Sequence, residues 1–348
     1  MKKLNIAKVL FIGLASLSCI YSCKKDHPMQ QQFNVTQTNL VADTAGYNAA
    51  KIDTNLVNAW GIAVNPTGII WISSNHKAVS TIYDKTGQTL RPPVTIPSVN
   101  ANEPGAPTGI VFNSSTVFGG NKFIFAGEDG IITAWASGNA AVKVADRSQF
   151  NTVYKGLAIA TDAGGSFLYA ANFKGGKIDV FDGNFNYVTG KPFSDASIPA
   201  GFGPFNIQNI GGLLYVTYAK LKGPDNQDDQ AGPGNGYVNI FKPDGTLLKH
   251  FASQGPLNSP WGITHAPAGF AGGPETILVG NFGDGKINVF DLLGNYRGQL
   301  QDNGQAIEIE GLWAIDFLNT NAHPNDPLYF TAGPKEESHG LFGYLKKK

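Results

Sequence analysis

The sequence predicts an all-β protein, a six-bladed β-propeller built of four-stranded antiparallel blades, and three observations predict it. A phrase of an aromatic or bulky residue, a small one and an aliphatic one recurs as NAWGIAV, APTGIVF, YKGLAIA, GPFNIQN, SPWGITH and GLWAIDF. Anchored on Trp60, Thr108, Leu157, Phe205, Trp261 and Trp313, the copies stand 48, 49, 48, 56 and 52 residues apart. Within the series, FLYAANFKGGKIDVFDGNFNYV and TILVGNFGDGKINVFDLLGNYR are almost the same text, with Asn172 in register with Asn281. Charged residues are only 15% and glycines 43 of 348, against about 25% and about 7% in ordinary globular proteins. That is the composition of many short strands joined by tight turns, and a period of about 50 residues marks a radial repeat rather than a duplicated domain.

Taken in order, residues 1–22 read as a lipoprotein signal peptide. Met1, Lys2 and Lys3 give a basic start and Val9 to Leu17 an apolar core, shorter than the roughly 20 residues that span a bilayer. Ile20 and Ser22 ahead of Cys23 resemble the lipobox of bacterial lipoproteins, in which the cysteine is acylated; Cys19, with Ser16 three before it, fits less well. Lipidation is therefore expected at Cys23. Residues 23–32 are a polar tether, and 33–348 a single propeller domain. Both cysteines lie in the leader, so the domain has none for a disulfide.

Each unit shows the same grammar. After the anchor come a second apolar run (IIWISSN, KFIFAGED, FLYAANF, LLYVTYA, TILVGNF, PLYFTAG) and a third (STIYD, IITAW, KIDVF, YVNIF, KINVF, GLFGYL). A turn such as DKTG or PDG then leads to a fourth. Alternation with Gly and Asp punctuation is a hairpin signal, and helical periodicity is absent. The last unit runs out after its third strand, while FNVTQTNLVAD, from Phe33 to Asp43, precedes the first anchor. That segment is expected to supply the missing strand and remove an open edge.

The net charge is zero, with 26 basic and 26 acidic residues, which leaves no electrostatic footprint for nucleic acid. Inner-strand starts and second-strand ends open on one face of a propeller. That face collects the candidate ligand-binding residues Trp60, Asn75, His76, Glu128, Asp129, Asn172, Trp261, Asn281 and Trp313. The longest irregular insert, AKLKGPDNQDDQAGPGNG, adds Asp228 and Asp229, and the last unit adds His339. Each asparagine also reads as a turn residue and each tryptophan as blade packing. Asp225, Asp228 and Asp229 offer oxygen ligands to Ca²⁺, but Gln227 and Gln230 break the spacing of a calcium loop. His76 and His339 with Glu336 and Glu337 form the candidate acid/base set. His265 points to the opposite face.

The strings NLVNAWGIAV, DDQAGPGNGYVNIF, NSPWGI, LVGNFGDGKINVFD, IEGLWAIDF and LYFTAGPKEESHGLFG resemble an uncharacterised family of exported bacterial proteins with NHL-like β-propeller repeats. The resemblance runs from about Gln37 to Tyr344; it implies a six-bladed ring and brings no catalytic residues. A more distant likeness is to the gluconolactonase type of propeller, which holds Ca²⁺ through a Glu, two Asn and an Asp, but the first unit here has no acidic anchor. The expected function is a non-catalytic binding or scaffold module in the cell envelope, at the outer membrane if the cell is Gram-negative. It would be monomeric and free of cofactor, with an envelope glycan, peptide or protein as partner. The alternative is an envelope hydrolase or lyase working through the His/carboxylate set.

Overall fold

A computed structural model describes Met1 and residues 33–100, 103–319 and 321–348; residues 2–32, where the signal peptide, Cys23 and the tether are expected, lie outside the described residues. Among the described residues, strands form four sheets of four and one of ten. The first holds Ala59–Val64, Ile70–Ser74, Val79–Tyr83 and Val94–Thr95. The second holds Pro107–Phe112, Phe123–Gly127, Ile131–Trp135 and Val142–Asp146. Tyr154–Asp162, Gly165–Asn172, Lys177–Phe181 and Tyr187–Val188 make the third; Phe202–Ile210, Leu213–Lys220, Gly236–Phe241 and Leu247–Ser253 make the fourth. Each is an antiparallel meander of neighbouring strands, the arrangement of a β-propeller.

The ten-stranded sheet shows how the chain ends are joined. Its path runs Pro260–Ala266, Thr276–Asn281, Ile287–Asp291, Tyr296–Asp302, then Phe33–Ala42, Leu341–Lys347, Leu328–Ala332 and Leu312–Asp316. Phe33–Ala42 lies antiparallel to Leu341–Lys347 from Val35↔Lys347 to Ala42↔Leu341. Its first residues touch the other half in parallel, Phe33 opposite Leu300. The N-terminal segment thus covers the edge that the C-terminal strands leave open, and Phe33, Val35 and Val41 are buried beneath it.

The turns explain the repeated text. In VFDGNFNY the Asp182 carboxylate accepts the N–H groups of Asn184 and Asn186 at 2.8 and 2.9 Å. In VFDLLGNY, Asp291 does the same for Leu293 and Asn295, both at 2.9 Å. Such Asx turns reverse the chain locally, and the left-handed position is taken by Gly294 in one copy and by Phe185, φ 64°, in the other. Asn172 and Asn281 repeat for a similar reason. Their Oδ1 atoms accept N–H groups from Val153 and Asn258, tying the second strand to the chain entering the inner one.

Inner strands lie backbone to backbone around the axis. A Cβ at Gly61 would stand 2.6 Å from Thr108 O, one at Gly109 2.6 Å from Leu157 N, and one at Gly262 2.6 Å from Trp313 O. The axial cavity left between them is only about 30 Å³, lined by Gly61, Gly109, Leu157, Asn206, Gly262 and Asp316 among others. Side-chain layers between neighbouring sheets carry the apolar core, as where Trp71 stacks on Phe123 at 4.1 Å. Among the described residues, no helix is long and apolar enough to cross a membrane.

Candidate functional site

Every inner strand slips register at the same point: between Ala59 and Ile62, Pro107 and Ile110, Tyr154 and Leu157, Pro204 and Asn206, Pro260 and Ile263, and Leu312 and Ile315. A bulge re-aims the side chain it carries. The residues at the slip are Trp60, Thr108, Lys155, Phe205, Trp261 and Trp313. The third anchor is therefore Lys155, two residues before the Leu157 expected from the sequence. A charged side chain stands where other units place a ring or Thr108.

The rings form a floor. Trp60 stacks on Trp313 at 3.6 Å, Phe282 stacks on the same indole at 3.9 Å, and Trp261 meets both tryptophans edge-on. All three tryptophans are at most 4% exposed, so they pack on one another at the axis rather than offering open faces or filling the space between blades. The Nε1 of Trp313 donates to Asn58 Oδ1 at 2.9 Å, while those of Trp60 and Trp261 are buried without a partner among the described residues.

Lys155 extends over this floor, its Nζ 4.9 Å from the Trp60 ring centroid, with only 3% of the side chain exposed. It donates to Glu128 Oε1 at 2.5 Å and lies 3.6 Å from Asp228 Oδ1. The other oxygen of Glu128 accepts from Asn75 Nδ2 at 2.9 Å. Burial works against charge on Glu128, but Lys155, Asn75 and His76 outweigh it and hold its carboxyl below the usual value. Burial likewise lowers the Lys155 ammonium, yet Glu128, Asp228 and Glu337 bring it above its ordinary value. The pair stays ionised.

Glu337 enters from the last unit. Lys335, Glu336 and Glu337 all have left-handed backbone, φ 57°, 53° and 65°. This turn is closed by Glu337 N–H to Gly333 O at 3.1 Å and His339 N–H to Pro334 O at 3.2 Å. Such a conformation costs an L-residue about 1–2 kcal/mol, and strain of this kind collects where a side chain must be aimed. Here it aims Glu337 at Asn58, whose Nδ2 donates to Glu337 Oε2 at 2.6 Å and lies 3.4 Å from His76 Nε2. Burial raises the Glu337 carboxyl, Lys155 opposes, and Glu128 and Asp228 add to the rise, bringing it from 4.5 to about 7.

The structure gathers Trp60, Trp261, Trp313, Asn75, His76, Glu128, Asp228 and Glu337, and disperses the other candidates. Asn172 and Asn281 are fully buried and serve their own turns. Asp129 accepts the Val99 N–H at 3.0 Å, and Glu336 is exposed. His339 does not join His76: its Nδ1 lies 2.9 Å from Asp43 Oδ2, at the end of the closing strand. Asp225 is exposed beside Gln227, Asp228 faces Lys155, and Asp229 is drawn inward, where burial raises its carboxyl. These three do not fit a Ca²⁺ site. Among the described residues no group of three or more His, Cys, Asp or Glu is arranged to hold a metal ion, and an ammonium already stands between Glu128 and Asp228.

Sequence reasoning missed Lys155 and Asn58. A signal for the first was present: aligning YKG with AWG and PWG puts a lysine where two units carry tryptophan. Asn58 gave no such signal, because its role rests on left-handed backbone, φ 50°, and on partners up to 279 residues away.

No protein-family model matches the chain. Among solved structures, it is similar to the aldose sugar dehydrogenase of Escherichia coli, with TM-score 0.56 and 14% identity over 90% of this chain and 100% of that one. It is also similar to a streptogramin B lyase, with TM-score 0.50 and 13% identity over 90% and 97%. At such identities the likeness is one of fold, the β-propeller. Closer in sequence are two proteins of Acanthamoeba polyphaga mimivirus. "Uncharacterized protein R648" is 36% identical over 329 residues, 89% of this chain and 80% of that protein. "Uncharacterized protein L690" is 34% identical over 332 residues, 89% and 86%. Both are viral, whereas the sequence resemblance pointed to exported bacterial proteins. Identity of this extent over nearly the whole fold places the chain in the family of these two mimivirus proteins.

Proposed function

We propose that this chain is an exported lipoprotein of the cell envelope, anchored through Cys23, whose propeller has six blades and binds an envelope ligand without catalysis. Six blades are supported by the four separate sheets together with the ten-stranded sheet, each half of which repeats the same meander. The ligand is a glycan, peptide or protein, the working form is a monomer, and no cofactor is required. It binds on the face where the inner strands begin.

One observation carries this reading: Lys155, Glu128, Asp228, Glu337, His76, Asn58 and Asn75, from five units of the chain, converge over an aromatic floor. A few convergent polar groups beside aromatics are the common form of a ligand site. The test is a glycan and envelope-peptide array probed with the wild-type protein and with a form lacking residues 224–232, both shown to be folded. Binding lost in the shortened form is expected. Equal binding by both, at equal thermal stability, would eliminate this loop as the recognition element.

A second reading, an envelope hydrolase or lyase, is favoured by the Glu337 carboxyl near 7 and its link through Asn58 to His76. A general acid or base is most effective with its pKa near the working pH. Release of product from envelope polysaccharide by the wild type and not by Glu337→Gln would support it. No release by either protein would count against it.

A further inference from the structure

Resting on the binding reading, we infer that the loop-face site takes an organic cation, an ammonium or guanidinium group held by Glu337 beside Asp228 at the edge of the aromatic stack. Two carboxylates, Glu128 and Asp228, contact the buried ammonium of Lys155, and Glu337, held by Asn58, lies near enough to feel all three charges without touching the ammonium. That cation is committed to Glu128 at 2.5 Å, and among the described residues the Glu337 carboxylate has only the amide of Asn58. With Glu337 protonated these carboxylates exceed the ammonium by one charge, and once Glu337 ionises they exceed it by two.

Lys155 itself displays the chemistry the site favours. It is an ammonium flanked by two carboxylates over an indole face, and cations are drawn to aromatic faces in this way. Trp60, Trp313 and Phe282 continue as a three-ring stack, of which Phe282 is part-exposed. The left-handed turn of Lys335, Glu336 and Glu337 holds the remaining carboxylate in place before any ligand arrives, which reduces the ordering cost of binding. A metal ion is disfavoured because the Lys155 ammonium would have to leave the carboxylates first.

The groups facing Glu337 are Lys155, Glu128, Asp228, Asn58 and, through Asn58, His76. An arriving cation therefore competes with the proton on Glu337, and binding releases that proton. The direction is fixed: the site is protonated and closed to cations at acid pH, and open to them as pH rises through about 7.

The experiment is titration calorimetry of the full chain with butylammonium and with methylguanidinium, in two buffers of different ionisation enthalpy. Calcium, magnesium and acetate serve as controls. Wild type is expected to bind both organic cations with proton release, and at least about tenfold more tightly at about pH 8 than at about pH 5. Glu337→Gln, with its fold checked by thermal denaturation, is expected to lose about tenfold or more in affinity, together with the proton release. Because the pH and proton readouts belong to the wild type, they stand even if the variant is damaged. Cation binding with no proton release, a pH profile unchanged by Glu337→Gln, or binding of calcium alone would each overturn the inference. Failure of both organic cations alongside an array hit that still requires this face would remove the cation and leave the binding reading standing.

Discussion

Replacing Glu337 by glutamine should make the protein more stable at alkaline pH. The glutamine keeps an acceptor for Asn58 Nδ2 and nearly the same shape, so the left-handed turn has no reason to change. What changes is ionisation. In the unfolded chain this carboxyl titrates at 4.5 and in the folded protein at about 7. Below 4.5 both states carry the proton and the group is neutral toward stability. Between 4.5 and about 7 the unfolded chain ionises first, so stability falls as pH rises; above about 7 the loss is complete. At 1.36 kcal/mol per pH unit the whole penalty is about 3 kcal/mol, reduced where solvent reaches the mouth of the site.

The assay is urea denaturation of both proteins across that range, read as the difference between them, so that titration of other groups cancels. Glu337→Gln should match wild type at about pH 4 and exceed it by up to about 3 kcal/mol at about pH 8. A difference that does not vary with pH would refute the reasoning, for it would mean that neither burial nor the charges of Glu128 and Asp228 displace the ionisation of Glu337.

Lys155→Met should cost about 3–5 kcal/mol by stranding Glu128, and Lys155→Met with Glu128→Leu should recover most of it in the same denaturation assay. Deleting residues 33–43 exposes the groove that receives Phe33, Val35, Leu40 and Val41. At about 1.5–3 kcal/mol for each buried side chain, the loss rivals a typical total of about 5–15 kcal/mol, so the truncated chain should fail to show a cooperative transition. Gly61→Ala puts a methyl group 2.6 Å from Thr108 O and 2.9 Å from Ile110 N; a loss of about 1–3 kcal/mol is expected, visible as a lower denaturation midpoint. Cys23→Ser should abolish labelling by an alkyne fatty acid and release the protein from membranes, and persistent labelling would move the anchor to Cys19.

The sequence by itself determined the all-β repeat, the strand order and the turns. These depend on neighbours a few residues apart: a carboxylate at Asp182 or Asp291 reaches N–H groups two and four positions on, and the alternation of side chains follows from the pleat. It also named most of the polar residues on one face, because antiparallel hairpins force inner-strand starts and second-strand ends to the same end of a sheet. Tertiary structure alone decided which of those residues meet. Asn172 and Glu128 follow second strands in the same way, yet Asn172 turns back to Val153 and Glu128 reaches forward to Lys155. His339 was expected beside His76 and instead found Asp43, because the closing strand Phe33–Ala42 delivers that carboxylate at its end. Lys155 was legible in the alignment of YKG with AWG and PWG, but only the shared bulge showed that this position, and not Leu157 two residues on, is the anchor of its unit. The charge on Glu337 is likewise a property of the assembled site: it depends on burial and on three charges brought from other units of the ring, none of them a neighbour in the chain.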